Sequence, residues 1–223
     1  PFFDFSKPFA QVETSRGCLG TCTYCTSCST GPVREFPLER VVGELRTLRT
    51  HGVGEVRIVD RTFNSNPARC ATRLRLFREE FADLRFHLEV HPALLPAAVR
   101  RELEAAPAGQ LHLEVGLQTT CGPALDALGR QGAPTQAWEG TEYLCGLRNV
   151  ETHVDLLAGL PSLTWDWLLG DLRRLTLAGP DEIQLEVLKV LPGTPLADDA
   201  ARLGLRFAPT PPYDVLATPH MSV

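Results

Sequence analysis

The chain has 223 residues, 43% of them hydrophobic, which is enough for one sizeable core or a single large barrel. Its formal charge of -5 is spread along the sequence without a basic block, which disfavours a nucleic-acid partner. No long apolar run occurs, and PFFDFSKPFAQ lacks the basic start and apolar centre of a signal peptide, so no membrane span is predicted and the cytoplasm is the expected compartment.

In chain order, short alternating apolar runs predict strands at 10–15, 55–60, 86–91, 111–116, 151–157 and 182–190. Each is followed by a helical pattern. Pro37 suits the first turn of the first helix, Val41, Leu45 and Leu48 recur on one side of it, and His51-Gly52 ends it. Further helices are predicted at 67–82, 95–106, 121–130, 134–147, 163–178 and 195–203. Strands separated by helices imply right-handed crossovers and a parallel sheet, hence an α/β fold.

One side of nearly every strand is polar. His87, Glu89 and His91 alternate with Leu88 and Val90, His112, Glu114 and Gly116 alternate with Leu111, Leu113 and Val115, and His153/Asp155 and Gln184/Glu186 repeat the pattern. A doubly wound sheet covered on both faces would read as continuous Val, Ile and Leu. A closed eight-stranded barrel would fill its centre with branched apolar layers. The expectation is a partial (β/α)6 TIM-like barrel with helices outside and a polar interior. The histidines are read as hydrogen-bonded wall residues, and Glu89, Glu114, Asp155 and Glu186 as inward acids.

Four of the seven cysteines fall within RGCLGTCTYCTSCST, residues 16–30, whereas Cys70, Cys121 and Cys145 stand alone and read as buried small hydrophobes. Cys18, Cys22 and Cys25 have the spacing C-x3-C-x2-C in the loop between the first strand and the first helix. That loop lies at the carboxyl end of a parallel strand, where α/β folds bind ligands. Three thiolates on a [4Fe-4S] cube leave one iron open to a small molecule. A zinc site remains the alternative.

The run ETSRGCLGTCTYC, with Tyr24 before its last cysteine, resembles the cluster loop of the radical S-adenosylmethionine (SAM) superfamily. IVDRTFN (58–64), VGLQTT (115–120) with LDALGR (125–130), VDLLAGLPSLT (154–164) and EIQLEVLKVLPGTPL (182–196) are similar to later segments of the same family. DRTFN, LKVLPGTPL and PPYDVLAT together resemble a bacterial subgroup that carries a cobalamin-binding domain upstream of the barrel. The resemblance implies residues 1–9 as a linker from such a domain, 10–207 as the radical SAM core barrel and 208–223 as the start of a C-terminal linker or extension.

The resemblance also implies the chemistry: Cys18, Cys22 and Cys25 hold a [4Fe-4S] cluster, SAM is cleaved reductively to a 5′-deoxyadenosyl radical, and that radical abstracts hydrogen from a substrate. Given an upstream cobalamin domain, methyl transfer from methylcobalamin to a carbon radical is the leading outcome that the resemblance implies. The implied partners are a small-molecule or peptide substrate and a flavodoxin- or ferredoxin-type electron donor. Tyr24, Asp60, Thr62, Asn64, Gln118, Thr119, Gly159 and Leu191 are the implied cofactor contacts. Arg130 is read as a helix-end residue, with a carboxylate clamp as the alternative.

Two departures stand out. Leu19 replaces the proline common after the first cysteine, and Cys28 adds a fourth thiol at x2 spacing. Cys28 is expected to point away from the cube, because the helical start near Phe36 leaves it in a loop beyond three nearer thiols; its ligation would close the open iron. The competing readings are a radical SAM enzyme without cobalamin (dehydrogenase, mutase or carbon–sulfur bond former) and a non-catalytic iron–sulfur or zinc module.

Overall fold

The computed structural model describes residues 4–28 and 31–223. The first three residues of the expected N-terminal linker lie outside them, as do Ser29 and Thr30 after the cysteine run. Six parallel strands form one sheet in sequential order: β1 (Phe9–Val12), β2 (Glu55–Ile58), β3 (Arg85–Val90), β4 (Leu111–Gln118), β5 (Val150–Ala158) and β6 (Glu182–Val187). The helices between them are α1 (Leu38–Thr50), α2 (Pro67–Glu80), α3 (Ala97–Glu104), α4 (Gly122–Ala127), α5 (Pro134–Cys145) and α6 (Trp165–Ala178), with α7 (Pro195–Asp199) after the last strand. This is the partial βα barrel that the alternation predicts. A one-turn 3-10 helix at Phe63–Ser65 has no counterpart in the sequence reading.

Helix boundaries follow local chemistry. Asn66 caps α2, its side chain accepting from the Arg69 N–H at 3.2 Å, with Pro67 in the first turn. Thr164 caps α6 by accepting from Trp167 at 3.3 Å. Helix α4 stops at Ala127, short of the predicted 130, because the chain turns at Gly129 with φ +62°.

The alternation along each strand separates core from cavity. Val56, Phe86, Leu88, Leu111, Leu113, Val115 and Val154 are fully buried on the helix-facing side, against Val41 and Leu45 of α1, Phe77 of α2 and Val99 of α3. On the other side the register stacks polar residues in layers. His87 pairs with His112 and that with Glu151, Glu89 lies level with Glu114 and His153, and Gly116 lies level with Asp155 and Gln184. Cys70, Cys121 and Cys145 are buried as expected.

A second core forms beyond β6, where Leu160, Leu163, Leu188, Val190, Leu196, Leu205, Val215 and Met221 pack together. Its cover is an antiparallel hairpin of Arg206–Phe207 and Val215–Ala217. Residues 208–223 therefore return to the barrel: the Val215 N–H donates to Leu188 O at 2.8 Å and the Val190 N–H to Tyr213 O at 2.9 Å.

Candidate functional site

The cysteine loop is clipped at its base. Ser15–Arg16 pairs antiparallel with Arg34–Glu35, and Asp60, fully buried, accepts four hydrogen bonds there. They come from the N–H and hydroxyl of Thr14 at 2.7 and 2.6 Å and of Ser15 at 2.9 and 2.6 Å. Arg73 donates to Thr14 O at 3.1 Å. The loop is also docked on both flanks, with Thr23 N–H donating to Leu128 O at 2.9 Å and Leu196 N–H donating to Thr23 O at 3.0 Å.

Beneath it, at the carboxyl ends of β3, β4 and β5, lies a cavity of about 450 Å³. Cys18, Cys22, Cys25 and Tyr24 line one side, Glu89, His91, Glu114, Gly116, Gln118 and Asp155 the other, and Arg61, Thr62 and Arg130 close its edges. Cys28 lines it as well, contrary to the expectation that it points away, because the Cys28 N–H turns back to Cys25 O at 3.2 Å.

All four thiols are free and half-buried. Cys18 Sγ accepts from Gly20 N–H at 3.3 Å and Cys25 Sγ from Ser27 N–H at 3.4 Å. Among the described residues no three His, Cys, Asp or Glu side chains converge on a point that would hold a single ion. A cube is held at its corners, so its thiolates need not converge, and three unbridged thiols on one cavity wall fit that requirement.

Charge on the opposite wall is unevenly compensated. His87 donates to Glu114 at 2.8 Å, and this bond holds the Glu114 carboxyl below its usual range. Burial, reinforced by Glu114, raises Glu89. Burial, with Glu114, Glu89 and Glu186 nearby, pushes Asp155 up to about 7. Its Oδ1 lies 3.3 Å from His153 Nε2, but the pair is misaligned and neither atom has a hydrogen bond. Burial and the Arg130 cation bring His91 down to about 4, and its Nδ1 accepts from Ala93 N–H at 3.2 Å, so the ring is neutral with its proton on Nε2.

Of the residues expected at the cofactor, the structure brings Tyr24, Thr62 and Gln118 to the cavity, with Thr62 Oγ1 3.8 Å from Cys18 Sγ. It places the others in supporting positions outside the described cavity wall. Asp60 is committed to the loop base. Asn64 is buried and clamps the exit of β3, donating to His91 O and Leu94 O and accepting from His91 N–H, all at 2.9 Å. Thr119 donates to the buried Asp171 at 2.7 Å, tying β4 to α6. A side chain at Gly159 would meet Val215 and Val223 at 3.2 Å, and Leu191 O caps a turn by accepting from Thr194 Oγ1 at 2.7 Å.

Arg130 is the correction that matters most to the chemistry. Read as a salt-bridged helix-end residue, it instead reaches into the cavity, donating to Gly116 O and lying 3.6 Å from Cys22 Sγ and 3.4 Å from Tyr24 Oη. Arg61 and His91 were not named as cofactor contacts; their positions just after β2 and β3 were the available signal.

A six-stranded parallel partial barrel with a thiol-bearing loop over the carboxyl ends of its strands defines a class of α/β protein built to hold a cofactor at that end. The radical SAM superfamily model matches residues 12–175, and the chain belongs to that superfamily. It is 28% identical over 166 residues to the ribosomal protein uS12 methylthiotransferase RimO of Moorella thermoacetica, covering 71% of this chain and 36% of the relative. It is 24% identical over 215 residues to the cobalamin-dependent radical SAM methyltransferase TokK of Streptomyces tokunonensis, covering 92% of this chain and 31% of the relative. The chain thus spans about a third of the length of these curated relatives. The fold matches the radical S-adenosylmethionine methyltransferase TsrM from Kitasatospora setae, solved with cobalamin and a [4Fe-4S] cluster bound, with TM-score 0.77, 19% identity and coverage of 96% of this chain and 45% of that one. No described helix is long and apolar enough to cross a membrane.

Proposed function

We propose that this chain is the core barrel of a radical SAM enzyme in which Cys18, Cys22 and Cys25 hold a [4Fe-4S] cluster and the cavity takes SAM. Substrate modification then follows hydrogen abstraction, with methyl transfer from cobalamin, held by a domain outside this chain, as the leading outcome. The observation that carries the reading is the unbridged thiols of Cys18, Cys22 and Cys25, with Cys28 beside them, facing acids and a guanidinium across a cavity at the carboxyl ends of parallel strands. Bound there, the cluster supplies one electron at an iron without a protein ligand.

The chain's own residues bind and shield. Glu89 and Glu114 offer carboxylates to an ammonium group, and Arg130 offers a guanidinium to a carboxylate. Gln118 and Asp155, whose carboxyl is pushed up to about 7, suit hydroxyl groups. The docked loop roofs the cavity and limits water around a reactive intermediate. Similarity to TokK over most of the chain supports the cobalamin outcome. The match to a methylthiotransferase favours, as a second reading, radical chemistry ending in a carbon–sulfur bond. A small-molecule or peptide substrate and a flavodoxin- or ferredoxin-type donor complete the proposal.

The test is anaerobic reconstitution followed by iron and sulfide analysis, paramagnetic resonance of the reduced protein with and without SAM, and assay of 5′-deoxyadenosine. Four irons per chain, a spectrum changed by SAM and nucleoside release are expected. Replacing Cys18, Cys22 or Cys25 by Ala should abolish all three, whereas Cys28→Ala should retain them. A spectrum indifferent to SAM with no nucleoside released would sink the enzyme reading.

A further inference from the structure

We infer that Arg130 is a positioning residue that sets the reduction potential of the cluster, by holding its guanidinium on the sulfur of Cys22. The inference rests on the reading of the cysteine loop as a cluster site. It goes beyond any part Arg130 plays in holding a carboxylate, because it concerns the thiolate on the protein's side of the cavity.

The arginine is aimed from several directions. Its own N–H donates to Leu125 O at 3.0 Å, closing the turn after α4. That turn is stapled to the cysteine loop by Thr23 N–H on Leu128 O at 2.9 Å and by Thr21 Oγ1 on Gly129 O at 2.7 Å. A Cβ at Gly129 would come within 3.1 Å of Thr21 O, so the close approach depends on glycine there. On the far side, one guanidinium nitrogen is fixed on Gly116 O, and a Cβ at Gly116 would lie 3.4 Å from that nitrogen. The other nitrogen is left 3.6 Å from Cys22 Sγ and 3.4 Å from Tyr24 Oη.

The three expected ligand sulfurs are therefore not equivalent. Cys18 and Cys25 accept from neutral backbone N–H groups, whereas Cys22, among the described contacts, meets a full positive charge. Reduction adds one negative charge to the cluster, and its thiolates share it. A cation at hydrogen-bond distance in a half-buried site stabilises the reduced form more than the oxidised one and raises the potential; hydrogen bonds to cluster sulfurs and local charge are the levers a protein has for this. Arg61 edges the same cavity and, among the described contacts, has no sulfur partner, so it serves as a control for charge without contact.

The experiment is a redox titration of the reconstituted protein, followed by paramagnetic resonance, for the wild type, Arg130→Gln, Arg130→Lys and Arg61→Gln, each with measured iron content. At the wild-type midpoint, Arg130→Gln should lower the ratio of reduced to oxidised cluster on the order of tenfold. Arg130→Lys, which keeps the charge and loses the fork, should lower it by less, and Arg61→Gln least of all. Equal ratios in wild type and Arg130→Gln, or an equal shift in Arg61→Gln, overturn the inference. Should Arg130→Gln fail to hold iron, Arg130→Lys carries the same test, and an unshifted midpoint there overturns it too. A wild-type protein that takes up no iron or sulfide would instead remove the cluster reading itself.

Discussion

Asp60 and Asp155 are carboxylates at the same end of the same sheet, the first fully buried and the second partly buried on the cavity wall, and their partners differ. Asp60 receives four hydrogen bonds from Thr14 and Ser15, with Arg69 3.8 Å away. Asp155 has an oxygen without a hydrogen bond, 3.3 Å from His153 Nε2, and three other acids nearby, and its carboxyl is pushed up to about 7. A buried polar group with a full set of partners holds structure together, whereas one kept short of partners is available to a ligand.

Breaking the first of these should give the larger effect. Asp60→Ala strands buried donors on Thr14 and Ser15 and removes the counter-charge of Arg69, a loss of roughly 3–5 kcal/mol. The expected fall in melting temperature is on the order of 10 °C, measured by thermal denaturation of the iron-free protein. A change near zero would mean that the loop base does not depend on Asp60.

Asp155→Asn should act more weakly and with a pH signature. Asp155 titrates near 7 when folded, against an ordinary 3.8, so folding favours its protonated form. The wild type therefore loses that stabilisation as pH rises from about 4 through about 7, and the Asn variant does not. The melting temperature of the variant minus that of the wild type should grow across that window and level off above it. A flat difference would place Asp155 with Asp60.

The smallest stability effect is expected from Gly116→Ala. Its Cβ would lie 3.2 Å from Gln118 Nε2 and 3.4 Å from Arg130 Nη2, displacing two cavity side chains while leaving the core untouched. SAM affinity, measured by calorimetry on reconstituted protein, should weaken severalfold with melting nearly unchanged.

The strand-and-helix alternation was legible because each strand buries one side against helices and turns the other inward, which period-two patterning records directly. That Cys18, Cys22 and Cys25 share one loop at the carboxyl end of the sheet was legible because their spacing is local. Asp60 and Asn64 were harder. Both stand just after β2, where a ligand contact is a fair expectation, yet their partners come from residues 46 and 27 positions away in sequence. Arg130 reaches Cys22 across 108 positions. Hydrogen-bond partners of that kind are fixed by tertiary packing, and no local spacing encodes them.

The cysteine loop is tied by the Ser15–Arg16 ladder, by Asp60 and by backbone bonds to Leu128 and Leu196, none of which involves metal. If the loop holds the proposed cluster, folding and loading are separable equilibria. In a zinc finger, binding the ion and acquiring structure are one event, so chelation unfolds the domain. Here the base and flanks of the loop are held by the polypeptide itself, so on the proposed reading iron assembly would resemble ligand binding to an existing surface.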